Sequence, residues 1–166
     1  MIPLTAASSG FTFSTNWRGF ELRQGNQIVA TVRRPSIWSW DFLATTPSQS
    51  WIIRRGGFWG SKAEIIEEVS KQPVATFRSS WGGKGTLVFT DGQTFHSITR
   101  GFWHPVWTVI TDNGLPVLQL HAHEKSVEIH SSVALPKERL LLLTLFTLYR
   151  VRQAEDAAAA AAVAAS

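Results

Sequence analysis

The stretch Leu140–Tyr149, LLLLTLFTLY, decides the fold of this chain. It follows Pro136-Lys137-Glu138, where the proline suits the first turn of a helix and the glutamate suits the positive end of the helix dipole. A helix that is apolar on every side must be buried on every side. Ten residues of helix rise only about 15 Å, whereas roughly 20 apolar residues are needed to cross a bilayer. We therefore predict a helix over residues 136–156 at the centre of a protein core.

The residues before this helix repeat with a period of 22. Trp59, Trp81 and Trp103 are each 22 residues apart. Each is followed by an apolar pair, a turn and a second apolar stretch, with turns at Val69-Ser70-Lys71, Asp91-Gly92 and Asp112-Asn113-Gly114. Asp-Gly or Asn-Gly between two β-type runs is the strongest local sign of a hairpin. We predict one hairpin per period.

The same pattern extends in both directions. Gln27–Arg33 matches Gln72–Arg78, 45 residues later, and another hairpin half is expected at Ser50–Arg54. A last strand at Ser126–His130 is predicted to pair with Val117–His121. The count is ten to twelve strands, and a barrel of that size has a lumen wide enough for a helix. The predicted fold is therefore mainly β, a closed antiparallel β-barrel of about twelve strands in a hairpin meander around the hydrophobic C-terminal helix.

Three segments follow from this pattern. Residues 1–16 are predicted to be an N-terminal extension that is poorly ordered or packs on the barrel. Residues 17–156 form the barrel with its helix. Residues 157–166 are an alanine-rich tail, helical at its start or of low complexity.

Tryptophan and glycine cluster at each junction between hairpins, as in Trp38-Ser39-Trp40, Trp81-Gly82-Gly83 and Gly101-Phe102-Trp103. Glycine there permits tight bends. We expect the tryptophans to seal one end of the barrel as an aromatic plug. The alternative is that some of them line a ligand site or enter a bilayer interface.

Composition limits the chemistry. The 166 residues include no cysteine, which excludes disulfides, thiolate metal sites and a cysteine nucleophile. The N-terminal MIPLTAASSGF lacks the features of a secretory signal, so a cytoplasmic location is predicted. The net charge of +4 mildly favours an anionic partner.

Short hairpins with Asp-Gly turns, followed by the terminal segment LPKERLLLLTLFTLYR, resemble the superfamily of Tubby C-terminal domains, phospholipid scramblases and plant LURP-one-related proteins. The resemblance covers residues 17–153 and looks closest to the small stand-alone members. It implies a twelve-stranded barrel around a hydrophobic C-terminal helix. In that superfamily the Tubby branch binds phosphoinositides through basic residues on the barrel surface, and the scramblase branch is associated with membranes and calcium.

Two groups of basic residues flank the tryptophan and glycine junctions. One consists of Arg33 and Arg34, and the other of Arg54, Arg55 and Lys62. Arginine forks suit the phosphate of a lipid head group. These five residues are the candidate binding site for an anionic lipid, and the alternative is ordinary solvated loop charge.

Histidines cluster in the last hairpin. If Glu124 and Lys125 form a two-residue turn, His121 lies opposite Glu128, and His123 and His130 share the same outer face. Imidazole and carboxylate ligands suit zinc. A solvated polar face is the favoured interpretation, and no metal site is predicted.

Catalytic motifs are lacking in the sequence. It contains no nucleophile elbow, no glycine-rich phosphate loop and no H-E-x-x-H, and His96 and His104 lack a serine and an acid at a recognisable spacing. We therefore predict a non-enzymatic binding module without a cofactor, a specific nucleic-acid partner or a transmembrane segment. Its predicted partner is either an anionic membrane lipid, such as a phosphoinositide, or a protein. The alternatives are an interaction scaffold and an enzyme with its site at the barrel mouth.

Overall fold

A computed structural model describes residues 10–57, 61–130 and 133–166, which form twelve strands followed by one helix. The strands are β1 Phe11–Asn16, β2 Gly19–Gln24, β3 Gln27–Arg33, β4 Phe42–Thr45, β5 Ser50–Gly56, β6 Lys62–Glu67, β7 Pro73–Ser80, β8 Lys84–Phe89, β9 Thr94–Arg100, β10 Val106–Thr111, β11 Pro116–His121 and β12 Ser126–Ile129. The helix is α1, Lys137–Ala164.

The strands form a closed antiparallel barrel in chain order, as predicted. β1 closes it by pairing with β12, through Phe11 with Val127 and Thr12 with Ser126. β1 lies within the segment 1–16 that was predicted to be an extension. These residues form a strand of the barrel because apolar and polar side chains alternate: Phe11 and Phe13 point into the core, while Thr12 is exposed.

The period of 22 corresponds to one hairpin, as predicted. β6 pairs with β7, β8 with β9 and β10 with β11. Positive φ values of 90° at Gly92 and 83° at Gly114 allow two of these turns, and in the β6–β7 turn Lys71, not Ser70, takes a positive φ of 60°. Trp59 lies outside the described residues.

The helix fills the barrel lumen. Leu141–Tyr149 and Val151 are all buried and face inward-pointing residues from every strand of the wall. Full burial of each leucine contributes about 1.5–3 kcal/mol. The helix runs past the predicted end at residue 156 to Ala164, because alanine has the highest helix propensity and no proline or glycine interrupts the tail.

Polar contacts hold the helix at its start. The Glu138 carboxylate accepts hydrogen bonds from the hydroxyls of Thr46 at 2.9 Å and Ser48 at 2.6 Å. Arg139 donates to the Asp91 carboxylate at 2.6 Å and stacks on the ring of Phe89. These partners lie on the β4–β5 and β8–β9 loops, so both loops are tied to the same end of the helix.

Other contacts hold the helix where it leaves the lumen. Arg152 donates to the backbone carbonyl of Asn16 at 2.6 Å, and Arg34 pairs with Asp156 at 3.2 Å. Asn16 is the last residue of β1, and Arg34 directly follows the last residue of β3, so both lie at the opposite end of the barrel from the loops that hold the start of the helix. The helix therefore runs from one end of the barrel to the other.

Loops alternate between the two ends because neighbouring strands are antiparallel. The turn end carries the β2–β3, β4–β5, β6–β7, β8–β9 and β10–β11 loops and the start of α1. The aromatic end carries the β1–β2, β3–β4, β5–β6, β7–β8, β9–β10 and β11–β12 loops and the exit of α1.

Candidate functional site

Every exposed aromatic side chain that the structure describes lies at the aromatic end. We call this set the aromatic rim; it consists of Trp17, Trp38, Trp40, Trp81, Phe102 and Trp103. Their exposed fractions range from 68% at Trp40 to 97% at Trp81. The predicted aromatic plug is therefore wrong for these residues. The helix already fills the lumen, so the tryptophans project from the loops into the surroundings.

Cations stack on the rim. The Arg18 guanidinium lies 4.4 Å from the centre of the Trp17 ring, and that of Arg55 lies 5.4 Å from Trp40. Phe102 and Trp103 pack edge to face, with ring centres 5.1 Å apart. The rim is thus both aromatic and positively charged.

A band of basic side chains lies on the outer wall next to the rim. We call it the basic belt; it consists of Lys62, Arg78, Lys84 and Arg100, on the four consecutive strands β6 to β9. All four are exposed, whereas Ala63, Phe77 and Gly85 beside them in sequence face the core. Strand alternation therefore directs the belt outward.

The strand register places the belt residues side by side. Lys62 lies directly opposite Arg78. Arg78 is opposite Thr86, two residues from Lys84, and Lys84 is opposite Ile98, two residues from Arg100. Direct neighbours on a sheet have Cβ atoms about 5 Å apart and diagonal neighbours about 7–8 Å. The four charges thus form one continuous patch.

Belt charges have no acidic partner among the described residues. Like charges directly opposite each other, as at Lys62 and Arg78, destabilise a sheet. An anion bound across the belt would remove that repulsion. The arrangement is consequently suited to a partner that presents several negative charges.

The five basic residues predicted from sequence all lie at the aromatic end but in different environments. Arg33, at the end of β3, and Lys62 are exposed and have no ion pair among the described residues. Arg34 pairs with Asp156, and Arg54 pairs with Asp41 at 3.6 Å. Arg55 stacks on Trp40. Only Lys62 belongs to the belt.

Sequence reasoning missed Arg78, Lys84 and Arg100, although the repeat contained the signal. Lys62 and Lys84 are 22 residues apart, and so are Arg78 and Arg100. Equivalent positions of successive hairpins face the same way, so a basic residue that recurs with the period forms a patch across neighbouring strands. The predicted groups were chosen by proximity in sequence and not by this period.

The histidine cluster of the last hairpin is divided. His121 lies opposite Ser126, so residues 122–125 form a four-residue loop instead of the predicted Glu124-Lys125 turn. Lys125 adopts a φ of 55°, which completes that loop. Glu128 lies 3.9 Å from His121 and 4.0 Å from His130, while His123 packs on His104 with ring centres 4.2 Å apart. The described residues contain no group of three potential metal ligands.

In the structure a hydroxyl and an acid lie beside His96, and the hydroxyl belongs to a threonine, not to a serine. Its Nε2 lies 2.8 Å from the Asp112 carboxylate, and its Nδ1 lies 3.2 Å from the Thr86 hydroxyl. The three residues stand on the outer face of β8 and β9 and the loop after β10, where 73% of the Asp112 side chain is exposed. In that setting water competes for each group, and the contacts serve to link neighbouring strands.

The lumen at the aromatic end contains a half-buried cation, Arg150. Arg150 lies over Phe77 at 4.3 Å and Trp107 at 5.6 Å, and burial lowers its pKa to about 10, so it stays charged at neutral pH. A cavity of about 10 Å³ beside it has room for about one water molecule. This cavity is far smaller than the several hundred Å³ of a typical small-molecule site.

Comparison of the chain with protein-family models, with curated proteins and with solved structures finds no match. Among the described residues, none of the helical structure is long and apolar enough to cross a bilayer.

Proposed function

We propose that this protein is a non-enzymatic cytoplasmic binding module, similar to the Tubby and LURP-one-related barrels, that binds anionic membrane lipids, including phosphoinositides, through the aromatic end. The observation that carries the proposal is the basic belt. Four cations stand side by side with no acidic partner among the described residues, directly behind exposed aromatic side chains.

The expected free energy of binding favours an anionic membrane surface as the partner of the belt. Each Lys or Arg close to an anionic bilayer contributes about 1 kcal/mol, so four contribute about 4 kcal/mol, or roughly a thousandfold in affinity. Exposed loop charges with acidic partners would contribute less, because their field is already neutralised. Arg34 and Arg54 are paired in this way, whereas Arg33 on β3 and Arg55 on β5 have no ion pair among the described residues.

Vesicle flotation tests the proposal. The protein is mixed with phosphatidylcholine vesicles, alone or with phosphatidylserine or a phosphoinositide, and the bound fraction is measured at low and moderate salt. We expect binding only to the anionic vesicles, weaker at higher salt because of screening. Replacing all four belt residues, Lys62→Gln, Arg78→Gln, Lys84→Gln and Arg100→Gln, should abolish it.

A matched pair of double variants controls for net charge. Arg78→Gln with Lys84→Gln removes two belt charges, and Lys71→Gln with Lys137→Gln removes two exposed charges from the turn end. The belt pair should weaken binding by roughly thirtyfold and the turn-end pair should have little effect. Equal losses for both pairs would show attraction by net charge alone, and no binding to any vesicle would overturn the proposal.

The second candidate is a protein-interaction barrel. Exposed tryptophans are typical of interaction hot spots, and the rim provides five of them. This function would leave the vesicle experiment negative and make a protein ligand dependent on the rim.

A further inference from the structure

We propose that the barrel binds the membrane end-on, with the aromatic rim inserted at the bilayer interface and the basic belt at the level of the lipid head groups. This orientation rests on the proposed lipid binding. It goes further, because the belt alone is equally compatible with a barrel lying on its side.

The distribution of exposed apolar side chains distinguishes the two orientations. All described exposed aromatics belong to the rim, and Ile37 beside Trp38 is exposed as well. On the outer wall, the exposed large apolar residue nearest the belt is Val88. Tryptophan concentrates at the boundary between hydrocarbon and head groups, because its ring is apolar and its N–H is polar. The end of the barrel therefore presents an interfacial surface and its side does not.

The distance between rim and belt fits the thickness of the head-group layer. Lys84 follows Trp81 by three residues, and Arg100 precedes Trp103 by three. Three residues of extended chain span about 10 Å, somewhat less through a loop. The head-group layer on each side of a bilayer is about 5–8 Å thick. Rim side chains at its inner boundary thus leave the belt beside the lipid phosphates.

Charges at the rim itself do not oppose this orientation. Arg18 and Arg55 stack on rim tryptophans and keep their cationic groups beside the ring faces, where they can reach phosphate. Asp41 and Asp156 are neutralised by Arg54 and Arg34.

The helix leaves the lumen through the same end, and beyond Asp156 it carries no charged side chain. From residue 157 to Ala164 it is exposed and contains only alanine and Val163. An uncharged helix of small apolar residues can lie among the head groups beside the rim. Two acidic groups near this end have no ion pair among the described residues: Glu124, and Glu64 on the outer face of β6 two residues from Lys62.

The absence of cysteine makes a direct test possible, since one introduced thiol can be labelled alone. Phe102 and Val69 form a matched pair, because they are 87% and 86% exposed and lie at opposite ends of the barrel. Phe102→Cys and Val69→Cys are labelled with an environment-sensitive fluorophore. Thr76→Cys, on the exposed outer face of β7, reports on the side of the barrel.

Each labelled protein is mixed with phosphatidylcholine and phosphatidylserine vesicles that carry a nitroxide on the acyl chain. We expect the label at residue 102 to be quenched by the nitroxide and protected from aqueous iodide. Labels at residues 69 and 76 should be unchanged. Quenching at residue 76 in place of 102 would establish side-on binding and overturn the inference, as would a protein that floats with vesicles while all three labels stay in water.

Failure of the proposed function itself looks different, because the unlabelled protein would then not float with anionic vesicles. A double variant, Trp81→Ala with Trp103→Ala, supplies an independent measurement. Each substitution should weaken vesicle binding about tenfold, equivalent to about 1.4 kcal/mol, without changing the salt dependence. The belt double variant should instead flatten the salt dependence. A rim double variant with unchanged vesicle affinity would contradict insertion.

Discussion

The two ends of the barrel use their side chains in opposite ways. At the turn end, charged and polar groups bind each other: Glu138 holds Thr46 and Ser48, and Arg139 holds Asp91. The backbone N–H of Gln93 and the Arg139 guanidinium keep the pKa of Asp91 below its usual range. At the aromatic end, large apolar rings and belt cations face outward. The turn end thus completes the fold, while the aromatic end exposes surface that a partner would cover.

One loop at the aromatic end is longer than every loop at the turn end. The loops at the turn end are short, with two residues between β2 and β3 and four between β8 and β9. The β3–β4 loop at the aromatic end has eight residues, from 34 to 41, and contains Trp38 and Trp40. Loops on a rigid scaffold commonly carry binding residues. The contacts that stabilise the fold and the surface available to a partner thus lie at opposite ends of the barrel axis.

The largest expected change in the free energy of unfolding comes from replacing a buried tryptophan near the turn end, compared with an exposed one at the aromatic end. Trp51, on β5 near the turn end, is buried, whereas Trp81 is almost fully exposed. Trp51→Ala should lower the free energy of unfolding by about 3–5 kcal/mol, because it opens a cavity in the core. Trp81→Ala should change it by no more than about 0.5 kcal/mol. Denaturant unfolding measures both, and similar losses would mean that the rim contributes to the fold.

An intermediate effect concerns Tyr149, which packs against Phe42 at the aromatic end of the lumen with ring centres 5.2 Å apart. Burial raises the pKa of Tyr149 to about 12. In the unfolded chain the phenol ionises near pH 10. Its contribution to the free energy of unfolding is therefore complete below about pH 10 and is lost as the pH rises toward 12. The loss amounts to about 2–3 kcal/mol.

Tyr149→Phe cannot ionise and isolates this effect. The stability difference between the wild type and the variant should be constant up to about pH 9 and should shift in favour of the variant between about pH 10 and 12. Arg150 titrates near the same range and interacts with the phenolate, so the measured shift includes that interaction. Chemical denaturation at several pH values measures the shift. Parallel curves over the whole range would show that the phenol reaches solvent.

The smallest effect compares the contacts that hold the helix at its two ends. Glu138→Ala removes two hydrogen bonds to a carboxylate and should cost about 1–2 kcal/mol. Asp156→Ala removes an ion pair with more than half of its carboxylate exposed and should cost less than about 1 kcal/mol. Thermal unfolding of both variants measures the difference. A larger loss for Asp156→Ala would place the stronger clamp at the aromatic end.

Local sequence was sufficient for the hairpins of the repeat, for the terminal helix and for their order. Leu140–Tyr149 has no polar face, so only an enclosed position satisfies it. Asp91-Gly92 and Asp112-Asn113-Gly114 supply the positive φ that tight turns require. Chain-ordered hairpins then follow directly. Three strands, β1, β2 and β4, were not located because they lie before the regular repeat, and the partner of β1, β12, is more than 100 residues away in the chain.

The candidate site could be recognised only from the strand register and the path of the helix, and not from local sequence. Arg33, Arg34, Arg54, Arg55 and Lys62 were chosen because they flank the junctions, and all five lie at the aromatic end. Their partners were not predictable: Asp156 reaches Arg34 only because the helix exits beside β3, and Asp41 reaches Arg54 because β4 pairs with β5 in the register that sets Phe42 opposite Ile53. The belt required the register of four strands before Arg78, Lys84 and Arg100 could be recognised as neighbours of Lys62.

The sequence by itself determined a barrel of hairpins with a buried terminal helix, since turn chemistry and hydrophobic pattern act between residues close in the chain. Only the tertiary structure decided which basic residues stand together, which are neutralised, and that the rim tryptophans project outward. The physical reason is that charge pairing and solvent exposure depend on distances between segments far apart in the chain. Those distances are fixed by the pairing of β1 with β12 and by the position of the helix in the lumen.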